Sequence, residues 1–105
     1  GFYFGGPHLF KGILLATRPP VAGGDLARSQ WHFQKAIEYS NDQFLMSRVY
    51  YADIYARRVL DRELYITTLK KVIETPVDKV PEMTLLNTVA QRKAEKLLDE
   101  VDAYF

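Results

Sequence analysis

Apolar positions recur every three to four residues along almost the whole chain, the spacing that lines one face of an α-helix. No stretch alternates with period two over a useful length, so the pattern predicts an all-α fold. Gly6-Pro7 is a start signal, since proline at the first helical position gives up only an orphan N–H, and Leu9, Phe10, Ile13 and Ala16 then form a buried stripe. Pro19-Pro20 ends this helix. Gly23-Gly24-Asp25 is a turn with Asp25 as N-cap of a second helix that runs to about Tyr39, burying Phe33, Ala36 and Ile37. Ser40 and Gln43 have the capping-box spacing at the start of a third helix, whose stripe is Leu45, Met46, Val49, Ala52 and Ala56. Asp61 turns the chain into a fourth helix with Leu64, Tyr65, Leu69, Val72 and Ile73, and Thr75-Pro76 stops it. After the connection from Val77 to Pro81, a long last helix buries Leu86, Val89, Ala90, Ala94, Leu97, Leu98, Val101 and Tyr104.

The helices are related in pairs. A shift of 36 residues places Leu9 on Leu45, Phe10 on Met46, Ile13 on Val49 and Ala16 on Ala52. The same shift places Asp25 on Asp61, Phe33 on Leu69, Lys35 on Lys71, Ala36 on Val72, Ile37 on Ile73 and Glu38 on Glu74. One constant offset that aligns two successive helices marks a helix–turn–helix repeat, close to the tetratricopeptide period of about 34. Ser29, Phe33 and Ala36 have the small, aromatic, small spacing of the second helix in such a repeat, where Tyr65, Leu69 and Val72 stand in the second unit. The expected architecture is one domain over residues 1–105, a tetratricopeptide-like α-α superhelix. Its units are repeat 1 at about 7–39, repeat 2 at about 43–75 and a capping helix at about 81–104. A single hairpin cannot bury its apolar side alone, and two repeats make a thin array, so the chain reads as the C-terminal portion of a longer protein.

Composition mainly removes alternatives. With 48% apolar residues the chain can bury a core. Its 14 Lys+Arg against 13 Asp+Glu give a net charge of +1, intermixed along the sequence, without the clustered cations that nucleic acid requires. There is no cysteine, which eliminates disulfides, thiolate metal sites and a cysteine nucleophile, and leaves the compartment open. The apolar run Ile13-Leu14-Leu15-Ala16 is far short of the roughly 20 residues that span a bilayer. The start, Gly1-Phe2-Tyr3-Phe4-Gly5-Gly6, lacks the basic and long apolar regions of a signal peptide, and its three aromatics suit burial against preceding chain better than a free terminus.

The inventory for catalysis is poor. His8 and His32 are the only histidines, and neither has an acidic residue at a metal-ligand helical spacing. His32, between Trp31 and Phe33, reads as a helix-surface or satisfied interface histidine. HExxH, P-loop and dinucleotide-binding patterns are all missing, so Gly23-Gly24 is a turn rather than a phosphate cradle, and no catalytic, cofactor-binding or metal-ligating residue is expected. Arg48 and Arg57-Arg58 form the one basic knot, read either as a helix end favoured by its dipole or as a contact for an anionic partner. Tyr50, Tyr51, Ile54 and Tyr55 form a patch that combines apolar area with polar handles. In a tetratricopeptide register, Ser47, Tyr50, Ile54 and Arg57 face the groove and are the candidate partner-binding residues; the other reading packs the tyrosines against further helices.

Several strings together resemble a known family. They are Gly23-Gly24-Asp25 with Ala27 and Trp31-His32-Phe33-Gln34-Lys35-Ala36-Ile37-Glu38, then Tyr51-Ala52-Asp53-Ile54-Tyr55-Ala56 and Asp61-Arg62-Glu63-Leu64-Tyr65. The likeness continues through Leu86-Asn87-Thr88-Val89-Ala90, Lys93-Ala94 and Leu97-Leu98 to Tyr104-Phe105. This ordered set, covering most of residues 9–105, resembles the T-component (TatT) proteins of tripartite ATP-independent periplasmic (TRAP) transporters. The resemblance implies an all-helical, tetratricopeptide-like lipoprotein of the periplasm that partners the transporter's solute-binding protein, with no catalytic residues to carry over. A signal peptide, a lipidated cysteine and the first helices of that family have no counterpart in the sequence. The expected function is therefore a non-enzymatic binding module, with a carrier of a small apolar ligand as the alternative, and homo-oligomerisation is left open.

Overall fold

Proline and glycine shape the first hairpin. The computed structural model describes residues 6–40, 43–78 and 81–105, which contain helices and no strand. The expected burial of Phe2, Tyr3 and Phe4 lies outside these described residues. Helix α1 (Gly6–Thr17) ends just before Arg18-Pro19-Pro20, and a 3₁₀ turn (Pro20–Ala22) leads to Gly23 in the left-handed region at φ 98°. Gly24 sits against backbone, where a Cβ would lie 1.9 Å from the Arg18 carbonyl oxygen. Asp25 then caps α2 (Leu26–Ser40), its Oδ1 accepting from the Arg28 N–H at 3.1 Å. The two helices approach closely at Gly12, whose carbonyl accepts from Ser29 Oγ at 2.6 Å and whose Cα faces the Phe33 ring.

The second hairpin starts differently from the expectation. Ser40 and Gln43 do not form a capping box: Ser40 is the last residue of α2, and its hydroxyl is spent on the Ile37 carbonyl at 2.8 Å. Helix α3 (Met46–Tyr50) begins after Leu45 and runs directly into a π-helical segment (Tyr51–Ala56). The end of that segment is closed by Leu60 N–H on the Arg57 carbonyl (3.2 Å) and Asp61 N–H on the Ala56 carbonyl (2.9 Å), the bond pair of a Schellman motif. Asp61 serves twice, because its carboxylate also accepts from Leu64 N–H at 3.0 Å and caps α4 (Arg62–Glu74).

The left-handed position of the motif is occupied by Leu60 at φ 60°, which costs a residue with a Cβ about 1 kcal/mol. Leu60 is 74% exposed, so little packing offsets that cost. Leu60→Gly is expected to raise stability by about 0.5–1 kcal/mol, seen as a melting midpoint a few degrees higher.

A 3₁₀ turn (Pro81–Met83) introduces α5 (Thr84–Asp99). The predicted single last helix is interrupted at Glu100 (φ −95°, ψ 5°), whose N–H closes on the Lys96 and Leu97 carbonyls, and α6 (Val101–Tyr104) follows. The buried face of α5 is Asn87, Ala90, Ala94 and Leu97, whereas Leu86 and Val89, expected in the core, are about half exposed.

Two amides set this rotation. Buried Asn87 accepts the Leu45 N–H on Oδ1 and donates from Nδ2 to the Gln43 carbonyl, both at 2.9 Å, and so caps α3 from another helix. One turn later, Gln91 Nε2 faces the Val72, Ile73 and Thr75 carbonyls at 3.1, 3.2 and 2.7 Å, at the C-terminus of α4.

Apolar burial divides into two clusters. One joins Leu45, Val49, Ala52 and Ala56 to Tyr65, Leu69 and Val72 of α4 and to Ala90, Ala94 and Leu97 of α5. The other joins Leu9, Ala16, Phe33 and Ala36 of the first hairpin to Tyr51 and Tyr55. Several positions related by the 36-residue shift have matching surroundings: Ala16 with Ala52, Phe33 with Leu69 and Ala36 with Val72 are all buried, and Asp25 and Asp61 both cap. Phe10 departs from this pattern, being 66% exposed where Met46 is packed.

Candidate functional site

The π-helical segment carries the junction between the hairpins. Its turns take one residue more than α-helical ones, so residues after it are rotated relative to a continuous α-helical stripe. Tyr51 and Tyr55 stack with ring centroids 5.3 Å apart and face the first hairpin, where Tyr51 also meets Phe33 at 5.5 Å. Burial pushes the Tyr55 phenol pKa up, with Tyr51 and Asp61 adding to the effect.

Next to this junction lies a solvent-open cavity of about 440 Å³. Ala16 and Thr17 at the end of α1 form one wall, Asp53 and Ile54 of the π-helical segment the second, and Arg57, Arg58 and Tyr104 the remainder. Arg57 is held from two sides. Its Nη1 donates to Asp53 Oδ1 at 2.9 Å, and its guanidinium carbon stands 3.5 Å from the Tyr104 ring centroid, a cation–π contact. Tyr104 in turn meets Tyr65 edge-on at 6.3 Å, and the Tyr65 hydroxyl donates to the Leu97 carbonyl at 2.8 Å. Burial raises the Tyr65 pKa to about 12, with the Asp53 carboxylate adding to the effect, so this phenol keeps its proton at neutral pH.

Of the four residues assigned to a groove from sequence, two line the cavity: Ile54 and Arg57. Ser47 is fully buried, contrary to that assignment; its hydroxyl donates to the Phe44 carbonyl at 2.9 Å, which lets a polar side chain sit in the interior. Tyr50 is half-buried against the Leu9 and Phe33 cluster, outside the cavity lining. Thr17, Asp53 and Tyr104 are not among the site residues expected from sequence. The Asp53–Arg57 pair carries a readable signal, an acid four residues before a base on one helix. Tyr104 carries none, because its partner lies on a distant helix.

A second polar arrangement sits at the opposite end of α1 from the cavity. His8 Nδ1 and His32 Nδ1 are 2.9 Å apart, and Trp31 and Tyr39 pack around His8. This agrees with the reading of His32 as a satisfied interface histidine. One nitrogen must donate and the other accept, so both rings cannot be protonated without breaking the bond. Burial first, then the charges of His8, Lys11 and Arg28, lower the His32 pKa below its ordinary 6.5.

A histidine with a depressed folded pKa binds its proton first in the unfolded chain, so the stability present above about pH 6.5 is lost as the pH falls toward the folded value. Thermal melts from pH 7.5 to 5 are expected to show a falling midpoint whose slope is reduced in His32→Gln. Equal slopes for the two proteins would refute the assignment.

Among the described residues, no three His, Cys, Asp or Glu side chains converge where they could hold a metal ion. Among the same residues, no helix is long and apolar enough to cross a membrane. No curated protein sequence matches the chain. The sequence profile of one family, described as TRAP transporter T-component, matches residues 1–105 from end to end. With that match and an all-helical fold, the chain belongs to the TRAP transporter T-component family.

Proposed function

We propose that this protein is a non-enzymatic docking module of a TRAP transporter, built from tetratricopeptide-like hairpins, that associates with the transporter's periplasmic solute-binding protein. Family membership makes it an accessory component of such a transporter. The observation that carries the docking role is the cavity at the junction of the hairpins, where Arg57 is fixed between Asp53 and Tyr104 and partly exposed to solvent beside Ile54. A rigidly held arginine next to apolar surface is the composition of an interface anchor. The proposed repeats are those expected from sequence, at about 7–39 and 43–75 with a cap at about 81–104; the matched burial of residues 36 positions apart supports them. The proposed location is the periplasm, with the full-length protein anchored as a lipoprotein. The alternative of a carrier for an apolar ligand is less favoured, because Thr17, Asp53, Arg57 and Arg58 make this cavity polar.

The direct test is binding to the solute-binding protein of a TRAP transporter from the same organism. Wild type is expected to associate, and Arg57→Ala to weaken the complex by about 10-fold or more, the scale of a hot-spot arginine. Tyr50→Ala, outside the cavity lining, is expected to have a smaller effect. Absence of association by the wild-type protein would overturn the docking role.

A further inference from the structure

The charges around the cavity specify more than a docking surface: given the docking role proposed above, on which this reading rests, they also select what the surface receives. Two guanidinium groups, Arg57 and Arg58, and one carboxylate, Asp53, line the cavity, and only Arg57 pairs with Asp53, which leaves one positive charge in excess among the lining residues. The two arginines differ in freedom. Arg57 lies against the Tyr104 ring and uses Nη1 on Asp53, so it holds one geometry. Arg58, the next residue, is exposed at the rim.

A guanidinium that rests against an aromatic ring presents its remaining N–H groups at its edge, a fork that matches the two oxygens of a carboxylate. The single excess charge suits a monoanion, whereas a phosphate dianion would remain over-charged beside Asp53. Ala16 and Ile54 supply apolar wall against which the methylenes of an acidic side chain can lie. The cavity is open to solvent, unlike sites that enclose most of a small ligand's surface, so an anion delivered on a protein surface fits it better than a free solute.

We infer that the cavity receives an acidic side chain, Asp or Glu, from the partner protein, with Arg57 as the preset fork and Arg58 as the arm that closes on it. Asp53 then has a positioning role: it orients Arg57 and sets the excess charge at one.

The test compares wild type, Arg58→Glu and Arg57→Lys for affinity to the same solute-binding protein by surface plasmon resonance at 50 and 300 mM NaCl. Arg58 is exposed, so Arg58→Glu is expected to lower the melting midpoint by only a few degrees, the effect of reversing one charge at a helix C-terminus, and binding measured well below that midpoint separates affinity from folding. The expected result is a loss of about tenfold or more in affinity for Arg58→Glu. A smaller loss is expected for Arg57→Lys, which keeps the charge and removes the fork. Raising the salt should weaken wild type more than Arg58→Glu, since the pair is partly solvent-exposed.

Unchanged affinity and salt dependence in Arg58→Glu would overturn the inference while leaving the docking role in place. No binding by wild type would remove both. Titration of free glutarate and acetate forms the second arm: saturable micromolar binding of either, abolished by Arg58→Glu, would make the cavity a small-molecule site and overturn its assignment to a protein side chain.

Discussion

Asn87→Ala is expected to lower the unfolding free energy by about 3 kcal/mol, a large share of what a domain of this size possesses. The residue is 2% exposed and makes two hydrogen bonds from α5 to the start of the second hairpin. Truncation leaves the buried Leu45 N–H without its partner, at a cost of roughly 1–3 kcal/mol, and the part-buried Gln43 carbonyl without its own at a smaller one. Chemical denaturation would read the loss directly.

The Asn87→Asp variant separates capping from mere space-filling. Its carboxylate still accepts from Leu45 N–H but meets the Gln43 carbonyl with negative charge, and burial raises its pKa in the folded state. The folded protein then binds the proton more tightly, so stability lost at neutral pH returns on acidification, opposite in sign to the histidine effect. A variant as stable as wild type at pH 7 would refute the role given to Nδ2.

Gly24→Ala is the second large effect, expected to cost more than about 2 kcal/mol. The reason is steric: the new Cβ would meet the Arg18 carbonyl oxygen at 1.9 Å, and that oxygen belongs to backbone held by the Pro19-Pro20 turn. Gly23→Ala is the informative companion. Gly23 has φ 98° and open space around its Cα, so its cost is conformational only, about 1 kcal/mol. Melts of the two variants should therefore differ clearly, with Gly24→Ala the lower; the reverse order would mean that the turn relaxes around residue 24.

The elements legible in the sequence are those whose signals act within one turn of chain. Asp25 and Asp61 cap through the N–H three residues ahead, Pro19-Pro20 and Thr75-Pro76 stop their helices, and the Leu69 and Val72 stripe is buried as its spacing implies. The failures have a shared physical origin in partners that are remote along the chain. Ser40 and Gln43 have the spacing of a capping box, but the acceptor at the start of α3 comes from Asn87, 42 residues beyond Leu45. Apolarity alone would turn Leu86 and Val89 into the core, whereas the rotation of α5 is fixed by the amides of Asn87 and Gln91.

The cavity is half legible for the same reason. Ile54 and Arg57 are reached from helical spacing, Asp53 is within reach from its place four residues before Arg57, and Tyr104 enters only through tertiary folding. Ser47 misleads because a serine on a helix reads as solvated, and the hydrogen bond that lets it enter the core runs to a backbone carbonyl three residues back.

The amides of α5 also bear on the order in which the protein acquires its shape. The chain emerges N-terminus first, whether from a ribosome or from a membrane pore, and until α5 follows, the Leu45 N–H and the Val72, Ile73 and Thr75 carbonyls have water as their partner instead of Asn87 and Gln91. The first hairpin carries its own closures, Asp25 on α2 and Ser29 on Gly12, and needs only Tyr51 and Tyr55 to complete its apolar cluster. The second must wait for residue 91, and the junction cavity for Tyr104, which is the last of its walls in chain order.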